Sequence, residues 1–467
     1  MTRSPASVGA GVGLVILGVS LLTTRGLLGG GQDEEIPFIS CAVLARTGGL
    51  ALGETDRAAV EAHASQWEEA LRQGRDGRWY SVYGPAQSWL ALPLYLLGRQ
   101  AAAGHPPDDV RRASEVRWCC GLNPLLTALA AGVLCLWLLG LGAPESAAIA
   151  TGLGYGLATM AWPYAKTFLS EPLTALCYLL VVVACDRRRG WLAGLALVLA
   201  VLTRPHNIVL TPIFAVWAAA PRAERRWSPR AAAGVLLPVA AAAMWWVSFN
   251  LFRFGRPLDF GYLPRIQGDF SPAALPMGII GQLFSPGRGL IWYAPPALLG
   301  LWGWRALRGR DAWLAGGLLA ACAAQLAFYS LRSTWWGNWC WGPRYLMPIL
   351  PLLAPLAAFG LARAPRAWAI GLAALGALNA MAGLVVYNGL YQDFIMKRFG
   401  SFHPLLWNPL WAPWIGHWRV VGWAGVDLMA WQALRADVTF GLAFCAVRLM
   451  PAGVGLWMLT RVRSNGA

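Results

Sequence analysis

Charge is scarce in this sequence of 467 residues. Charged residues make up only 13% of it, and Lys166 and Lys397 are the only lysines; a soluble domain usually has roughly 25% charged residues. Hydrophobic residues make up 57%, and the mean hydropathy is +0.49. A soluble globule of this size could not bury so much apolar surface, so a soluble enzyme and a disordered chain are both excluded. The composition predicts an all-α polytopic membrane protein.

Signals for metal sites and disulfide scaffolds are missing as well. The nine cysteines include no C-x-x-C pair, and the five histidines form no cluster. Several cysteines, such as Cys135 and Cys177, fall inside apolar runs. Because structural metal sites and disulfide frameworks require regular ligand spacing, we predict no metal site and no cofactor, with a divalent metal ion as the alternative.

The net charge of +16 comes almost entirely from arginine. Much of it lies in short tracts between apolar segments, at 187–189, 222–230, 305–310, 363–366 and 461–463. Such tracts are typical of cytoplasmic loops under the positive-inside rule. The pattern therefore indicates contact with a lipid bilayer and no nucleic-acid binding.

Apolar segments near the length of a membrane-crossing helix predict twelve spans. They lie at about 7–24, 119–140, 145–163, 172–185, 190–203, 207–220, 231–251, 289–304, 313–331, 345–362, 367–387 and 438–460. The first resembles a signal peptide, and we expect it to stay as an uncleaved anchor. Arg448 lies inside the last span and should have a polar partner or face a cavity.

The segment 84–98 decides the topology. It is apolar but short, and it contains Pro93. If it crossed the membrane, the later arginine tracts would face outward, so we predict an interfacial or re-entrant helix. Both termini are then cytoplasmic, and the outer face receives segments 25–118 and 164–171, the turn 203–206, and segments 252–288, 332–344 and 388–437.

The first outer segment opens with three adjacent carboxylates, Asp33, Glu34 and Glu35. Near the hydrocarbon a carboxylate can have its pKa raised and act as a general base. Equally, acidic residues favour a helix N-terminus, and spacing alone does not decide between these readings.

The rest of this outer segment predicts an amphipathic helix at 38–56. Further on, Tyr83 is a candidate substrate-lining residue. It lies among aromatic residues that would also suit an interfacial belt.

The turn before the fourth span contains Lys166 and Glu171. These two residues could pair with each other. Alternatively, Lys166 meets an anionic headgroup while Glu171 faces a polar cavity. Ser170 suits a helix N-cap, which would give this part of the turn a structural role.

Two further outer loops combine arginine with tryptophan. Arginine can hold phosphate with two hydrogen bonds, and aromatic faces can stack on sugars. Interface anchors with snorkelling arginines would account for a few of these residues, but less readily for four tryptophans within 335–341. The candidates are Arg253, Arg288, Arg344, Trp335, Trp336 and Trp339.

Taken together, these motifs resemble the GT-C superfamily of membrane glycosyltransferases, in the branch of the protein mannosyltransferases (glycosyltransferase family 39), with the lipid A aminoarabinose transferase as a relative. The resemblance rests on Asp33-Glu34, YGPAQSWLALPLYLLG, YAKTFLSEP, LFSPGRGLIWYAP and WWGNWCWGPRYLMPILPLL. It covers residues 1–365 as a catalytic module, followed by C-terminal helices in 366–467 with the outer loop 388–437.

The resemblance implies an inverting transfer of a sugar from a polyprenyl-phosphate carrier to an envelope acceptor (a lipid, a glycan or a protein), on the outer face of a bacterial cytoplasmic membrane. It implies Asp33 or Glu34 as the catalytic base. Lys166, Arg253, Arg288 and Arg344 are the candidates for binding the donor phosphate. A transporter, a lipid-linked-sugar flippase and a non-catalytic subunit of polysaccharide assembly are the alternatives.

Overall fold

The computed structural model describes residues 4–104, 108–220, 226–262 and 268–461, so parts of the arginine tracts 222–230 and 461–463 lie outside the described residues. The described chain is mainly helical, with one two-stranded sheet. Seven of its helical segments, two of them made of two consecutive helices, are long and apolar enough to cross a membrane: Pro5–Leu22, Asp109–Gly140, Pro229–Phe254, Ala312–Ser330, Arg344–Leu361, Arg366–Val385 and Val438–Thr460. The predicted all-α polytopic membrane fold is confirmed.

Other predicted spans are shorter or interrupted. The segment 145–163 consists of the helix Glu145–Leu157 and a separate turn, Ala161–Ala165. The segment 289–304 begins with the short helix Leu290–Tyr293, and a 3₁₀ helix Pro295–Leu299 follows. Proline lacks a backbone N–H and clashes with the preceding turn, which explains breaks at these proline-containing sites. The count of twelve spans stays a prediction.

The chain divides into two compact units. The first, here called the carboxylate unit, comprises residues 26–123 and 167–270. Its α-helices are Gln32–Thr47, Glu54–His63, Ala86–Ala101, Asp108–Cys119, Glu171–Asp186, Gly190–Thr203, Thr211–Ala219 and Pro229–Phe254, and its 3₁₀ helices are Trp67–Glu69 and Pro205–Leu210. Strands Leu71–Gln73 and Trp79–Ser81 pair antiparallel, with Leu71 opposite Ser81.

The second, here called the tryptophan unit, comprises residues 1–25, 124–166 and 271–467. Besides helices named above, it contains Leu122–Gly140, Leu275–Phe284, Gly300–Arg310, Leu350–Leu361, Asn388–Phe399, His403–Trp407, Pro413–Ala424 and Met429–Ala436, and the 3₁₀ helices Pro272–Ala274, Arg344–Ile349 and Pro409–Trp411. The modules predicted at 1–365 and 366–467 follow other boundaries and stay a prediction.

The helix Gln32–Thr47, here called the carboxylate helix, corrects the amphipathic helix predicted at 38–56. It begins six residues earlier and ends at Thr47, before Gly48, whose φ of 69° is left-handed. A glycine in this conformation is a common helix stop, so the predicted bounds were wrong and Glu54–His63 forms a helix of its own. The acidic first turn favours the helix dipole.

The segment predicted as interfacial or re-entrant is helical over Ala86–Ala101. It packs on the carboxylate helix, where the Ser88 hydroxyl donates to the Pro37 carbonyl at 2.8 Å. Whether this helix lies in the interface stays a prediction.

In the tryptophan unit, Arg448 has the polar partners that its position in a span required. Its guanidinium donates to the Leu21 carbonyl at 2.5 Å and to the Thr24 hydroxyl at 2.7 Å. It also lies over the Phe444 ring, 4.4 Å from the centroid. These contacts tie the last helix to the C-terminal end of the first one.

Candidate functional site

The three carboxylates of the carboxylate helix have different surroundings. Glu34 and Glu35 are buried, whereas Asp33 is partly exposed. Glu34 accepts hydrogen bonds from the backbone N–H groups of Gly29 and Phe168. Both readings of the acidic triplet therefore retain support: these side chains begin a helix, and one of them stays accessible.

Glu35 forms an ion pair. Its carboxylate lies 2.8 Å from an Arg112 guanidinium nitrogen, and that guanidinium also covers the Phe38 ring. Burial raises the pKa of Glu35 above its ordinary value, and the charge of Arg112 opposes part of that shift. Because it is buried and paired, Glu35 is a structural residue rather than an accessible base.

Tyr83 forms a hydrogen bond with the Asp33 carboxylate and also lines a cleft. Burial raises the pKa of Tyr83 well above its ordinary value, and the charge of Asp33 and a hydrogen bond with its carboxylate raise it further. Arg204 acts in the opposite direction on the same phenol. Tyr83 therefore stays protonated at neutral pH and lies beside the Asp33 carboxylate.

A small cleft lies in the carboxylate unit. Its walls combine prolines and aromatic rings with hydroxyl groups and one guanidinium. They are formed by Pro37, Ser40, Leu50, Tyr80, Ser81, Tyr83, Gly84, Pro85, Ser88, Phe249 and Arg253.

Arg253 is the only cationic residue among those walls. Its side chain is 1% exposed, and it donates to the Ser81 carbonyl and to the Asn250 side-chain oxygen, both at 2.8 Å. The guanidinium carbon also lies 4.5 Å from the centroid of the Phe249 ring. These contacts hold the charged group in place at the cleft.

The Glu171 carboxylate forms an ion pair within the carboxylate unit. It lies 3.1 Å from Arg204, whose Nε donates to the Ser170 hydroxyl at 2.8 Å. Ser170 occupies the N-cap position, but its side chain makes no capping hydrogen bond. Sequence reasoning did not select Arg204, although its position in a predicted outer turn was a usable signal.

Lys166 pairs in the tryptophan unit with Asp427, another residue that sequence reasoning missed. Its ammonium group lies 2.7 Å from the Asp427 carboxylate and donates to the Leu384 carbonyl at 2.6 Å. Arg25 contacts the other carboxylate oxygen at 2.9 Å. One partly buried carboxylate thus connects the loop before Met429–Ala436 to two cations.

Arg288 and Arg344 are both buried in the tryptophan unit. Each guanidinium nitrogen of Arg288 donates to a backbone carbonyl: Nε to Trp336 at 3.0 Å, Nη1 to Gly287 at 2.9 Å and Nη2 to Asn338 at 3.1 Å. These bonds fix the tryptophan-rich loop. Arg344 begins the 3₁₀ helix that follows this loop.

The three candidate tryptophans differ in exposure. Trp335 is 4% exposed and belongs to a hydrophobic cluster with Tyr391 and Leu405, and Trp336 packs against that cluster. Trp339 is 45% exposed and contacts the Phe402 ring edge-on at 5.3 Å. Of these rings, Trp339 therefore presents the largest accessible face.

The described residues contain no group of three or more His, Cys, Asp or Glu side chains that could hold a metal ion. The structure places Asp33, Glu34, Tyr83, Glu171 and Arg253 in the carboxylate unit, and the other candidates in the tryptophan unit.

No protein-family model and no curated protein sequence matches this chain. Solved structures of ArnT from Cupriavidus metallidurans do resemble it. The structure bound to undecaprenyl phosphate has a TM-score of 0.51 at 20% identity, over 96% of this chain and 75% of that one. The apo structure gives 0.49 at 19% identity, over 95% and 74%. The fold of this chain is thus similar to that of ArnT, a polytopic membrane protein.

Proposed function

We propose that this protein is a membrane glycosyltransferase that moves a sugar from a polyprenyl-phosphate carrier to a cell-envelope acceptor. The observation that carries the proposal is the likeness in fold, over 96% of the chain, to ArnT bound to undecaprenyl phosphate. The finer resemblance to glycosyltransferase family 39, and the location on the outer face of a bacterial cytoplasmic membrane with both termini inside, belong to this proposal.

Asp33 is the proposed general base. It is the partly exposed member of the acidic triplet. Glu34 accepts hydrogen bonds from two backbone N–H groups, and Glu35 forms an ion pair with Arg112. The acceptor hydroxyl would give its proton to Asp33 while its oxygen bonds to the anomeric carbon. The bond from that carbon to the carrier phosphate breaks, and the phosphate leaves with the electron pair, which inverts the anomeric centre.

The leaving phosphate requires cationic groups that stabilise its developing charge. Lys166, Arg253, Arg288 and Arg344 are the proposed candidates. Each Arg288 nitrogen donates to a backbone carbonyl, and Lys166 pairs with Asp427 and donates to Leu384. These contacts support structural roles for both residues, so we favour Arg253 and Arg344. Glu171, Tyr83 and the exposed Trp339 are the favoured substrate-lining residues, and the burial of Trp335 supports a packing role.

The test is turnover by the purified protein in liposomes that contain a polyprenyl phosphate carrying a radiolabelled sugar and an extract of envelope acceptors. We expect label to move to the acceptor and the carrier phosphate to be released. Label that crosses the bilayer while it stays on the carrier would indicate a flippase. The absence of both transfer and translocation would indicate a non-catalytic subunit. Either this result or translocation without transfer would overturn the proposal.

A further inference from the structure

One end of the tryptophan unit carries a cluster of exposed arginines, here called the arginine end. The helices Gly300–Arg310 and Leu350–Leu361 end there, and the helix Arg366–Val385 begins there. Two separate arginine tracts of the sequence, 305–310 and 363–366, thereby come together in the fold. The exposed arginines of this cluster are Arg305, Arg308, Arg310, Arg363 and Arg366.

Two of these arginines are held beside the same phenylalanine. Arg363 Nη1 donates to the Phe359 carbonyl at 2.8 Å, and the guanidinium carbon of Arg310 lies 6.0 Å from the centroid of the Phe359 ring. Arg310 also lies against a neighbouring loop, where a Cβ atom added to Gly142 would be 2.7 Å from its Nη2. Phe359 is buried, so both charged groups are anchored to the body of the unit. They repel each other, and an anion bound between them would offset that repulsion.

The protein supplies little negative charge at this end. None of the five arginines forms an ion pair with another described residue, whereas Arg46 in the carboxylate unit pairs with a carboxylate. The two acidic residues in the adjoining segments serve helix starts. Asp311 accepts a hydrogen bond from the Leu314 N–H at 2.8 Å, and Glu145 lies in the first turn of its helix. The arginine end therefore keeps a positive excess that an external anion can neutralise.

The surface next to the arginine end is apolar and aromatic. Trp302 and Trp368 form a tilted pair of rings, with centroids 6.3 Å apart. Trp368 is exposed, as are Leu301 and Ile370. Tryptophan is typical of the boundary between headgroups and hydrocarbon, and exposed apolar side chains of a membrane protein face acyl chains. A ligand that matches both surfaces combines an anionic group with long apolar chains.

We propose that the arginine end binds an anionic phospholipid with two phosphate groups, such as cardiolipin. Its phosphates would lie at Arg310, Arg363 and Arg366, and its acyl chains would pack along Trp302 and Trp368. Clusters of basic residues at the membrane surface recognise anionic headgroups of this kind. Five arginines exceed the single charge of an ordinary anionic phospholipid, which favours a lipid with two phosphates. The inference does not depend on the proposed glycosyl transfer, because binding requires neither donor nor acceptor.

The test uses the full chain, purified in a neutral detergent and freed of lipid. Native mass spectrometry measures the binding of cardiolipin, phosphatidylglycerol and phosphatidylethanolamine. We expect cardiolipin to bind at least about fivefold more tightly than phosphatidylglycerol, since one further arginine contact contributes about this factor. Phosphatidylethanolamine should bind most weakly. Cardiolipin should also raise the Tm, because a ligand that binds only the folded protein stabilises it.

Combining Arg310→Gln with Arg363→Gln should weaken cardiolipin binding at least about tenfold and remove the increase in Tm. Arg366→Gln alone should weaken binding several-fold. Arg310→Lys with Arg363→Lys should retain part of it, because the charges stay while the two-bond contacts with phosphate are lost. The matched control combines Arg117→Gln with Arg256→Gln. It removes two exposed arginines from the carboxylate unit and should leave cardiolipin binding unchanged.

Equal binding of the three lipids would overturn the proposal, as would unchanged cardiolipin binding in the Arg310→Gln, Arg363→Gln protein. An equal loss of binding in the Arg117→Gln, Arg256→Gln control would show that only total charge matters, and would also overturn it. Inorganic pyrophosphate that binds more tightly than cardiolipin would assign the arginine end to a soluble anion instead. Should the double glutamine variant unfold, Arg366→Gln decides, because its exposed side chain begins a helix, where a positive charge does not stabilise.

Discussion

Asp33, Glu34 and Glu35 show how neighbouring carboxylates acquire different roles from their surroundings. One turn of helix directs them to different partners: Tyr83, two backbone N–H groups and Arg112, respectively. The sequence predicted the acidic triplet as a site and left its base undecided between Asp33 and Glu34. The tertiary contacts favour Asp33, and activity measurements must test that preference.

Replacing Asp33 by Asn should lower turnover about 10²–10⁴-fold, the usual range for loss of acid–base catalysis. The change keeps the shape of the side chain and removes only its basic oxygen, so the variant should fold and still bind the donor. The measurement is single-turnover sugar transfer. Glu61→Gln on the exposed helix Glu54–His63 is the control and should retain full turnover. Near-normal turnover in a folded Asp33→Asn protein would contradict the assignment.

His417 should make the protein sensitive to acid. Its ring is fully buried, Nδ1 donates to the Ala382 carbonyl at 2.8 Å, and burial lowers its pKa from 6.5 to about 3. The Ala382 hydrogen bond opposes this shift, while the positive charges of Lys166 and Arg288 add to it. His417 therefore takes up a proton at a higher pH in the unfolded chain than in the folded protein. Its contribution to the free energy of unfolding is complete above pH 6.5 and is lost as the pH falls towards 3.

This loss amounts to at most about 1.4 kcal/mol per pH unit. Thermal unfolding in detergent between pH 7 and 4 should therefore show a smaller decrease in Tm for His417→Gln than for the original protein. The exposed His63→Gln variant is the control and should follow the original curve. Parallel curves for His417→Gln and the original protein would refute the role given to His417.

At the scale of elements, the turn before Ala86–Ala101 depends on close backbone contact. A Cβ atom added to Gly84 would lie 1.9 Å from the carbonyl oxygen of Leu202 and 2.6 Å from that of Thr203. Only glycine allows the turn to approach the end of Gly190–Thr203 this closely. The sequence shows that Gly84 belongs to a Gly-Pro pair. Only the packing of the two segments shows that it lies against Leu202 and Thr203.

Gly84→Ala should therefore destabilise the fold, by about 1–3 kcal/mol as is typical of overpacking, and should distort the adjoining cleft. The expected result is a lower Tm in thermal unfolding measured in detergent. Gly140→Ala is the matched control, because a Cβ at Gly140 meets no atom within 4 Å. An unchanged Tm for Gly84→Ala would show that the two segments can separate without cost.

For the whole molecule, the arginine tracts predict orientation. Single cysteines introduced at His63 and at Arg308, both exposed, should react differently with a membrane-impermeant maleimide in a background without the nine native cysteines. His63→Cys should be labelled in intact cells, and Arg308→Cys only after permeabilisation. External labelling at 308 would reverse the orientation and remove the basis for placing the site outside.

Several features were predictable because they depend on local composition. The apolar segments predicted a helical membrane fold. The acidic triplet was left open between a helix start and a catalytic site, and the structure shows that it does begin a helix. The interrupted spans were harder to place, because whether a proline ends, kinks or begins a helix depends on the packing around it. The carboxylate helix was misplaced for a similar reason, since Gly48 stops a helix only where it adopts a left-handed conformation.

The sequence by itself determined that this is a helical membrane protein, because the hydropathy and length of each apolar segment are properties of consecutive residues. Only the tertiary structure decided the partners of its charged groups. Lys166 pairs with Asp427 and Glu171 with Arg204, although Lys166 and Glu171 are close in sequence. The physical reason is that a charge removed from water pairs with whichever opposite charge the folded chain brings to it, and spacing along the chain does not specify which helix ends meet.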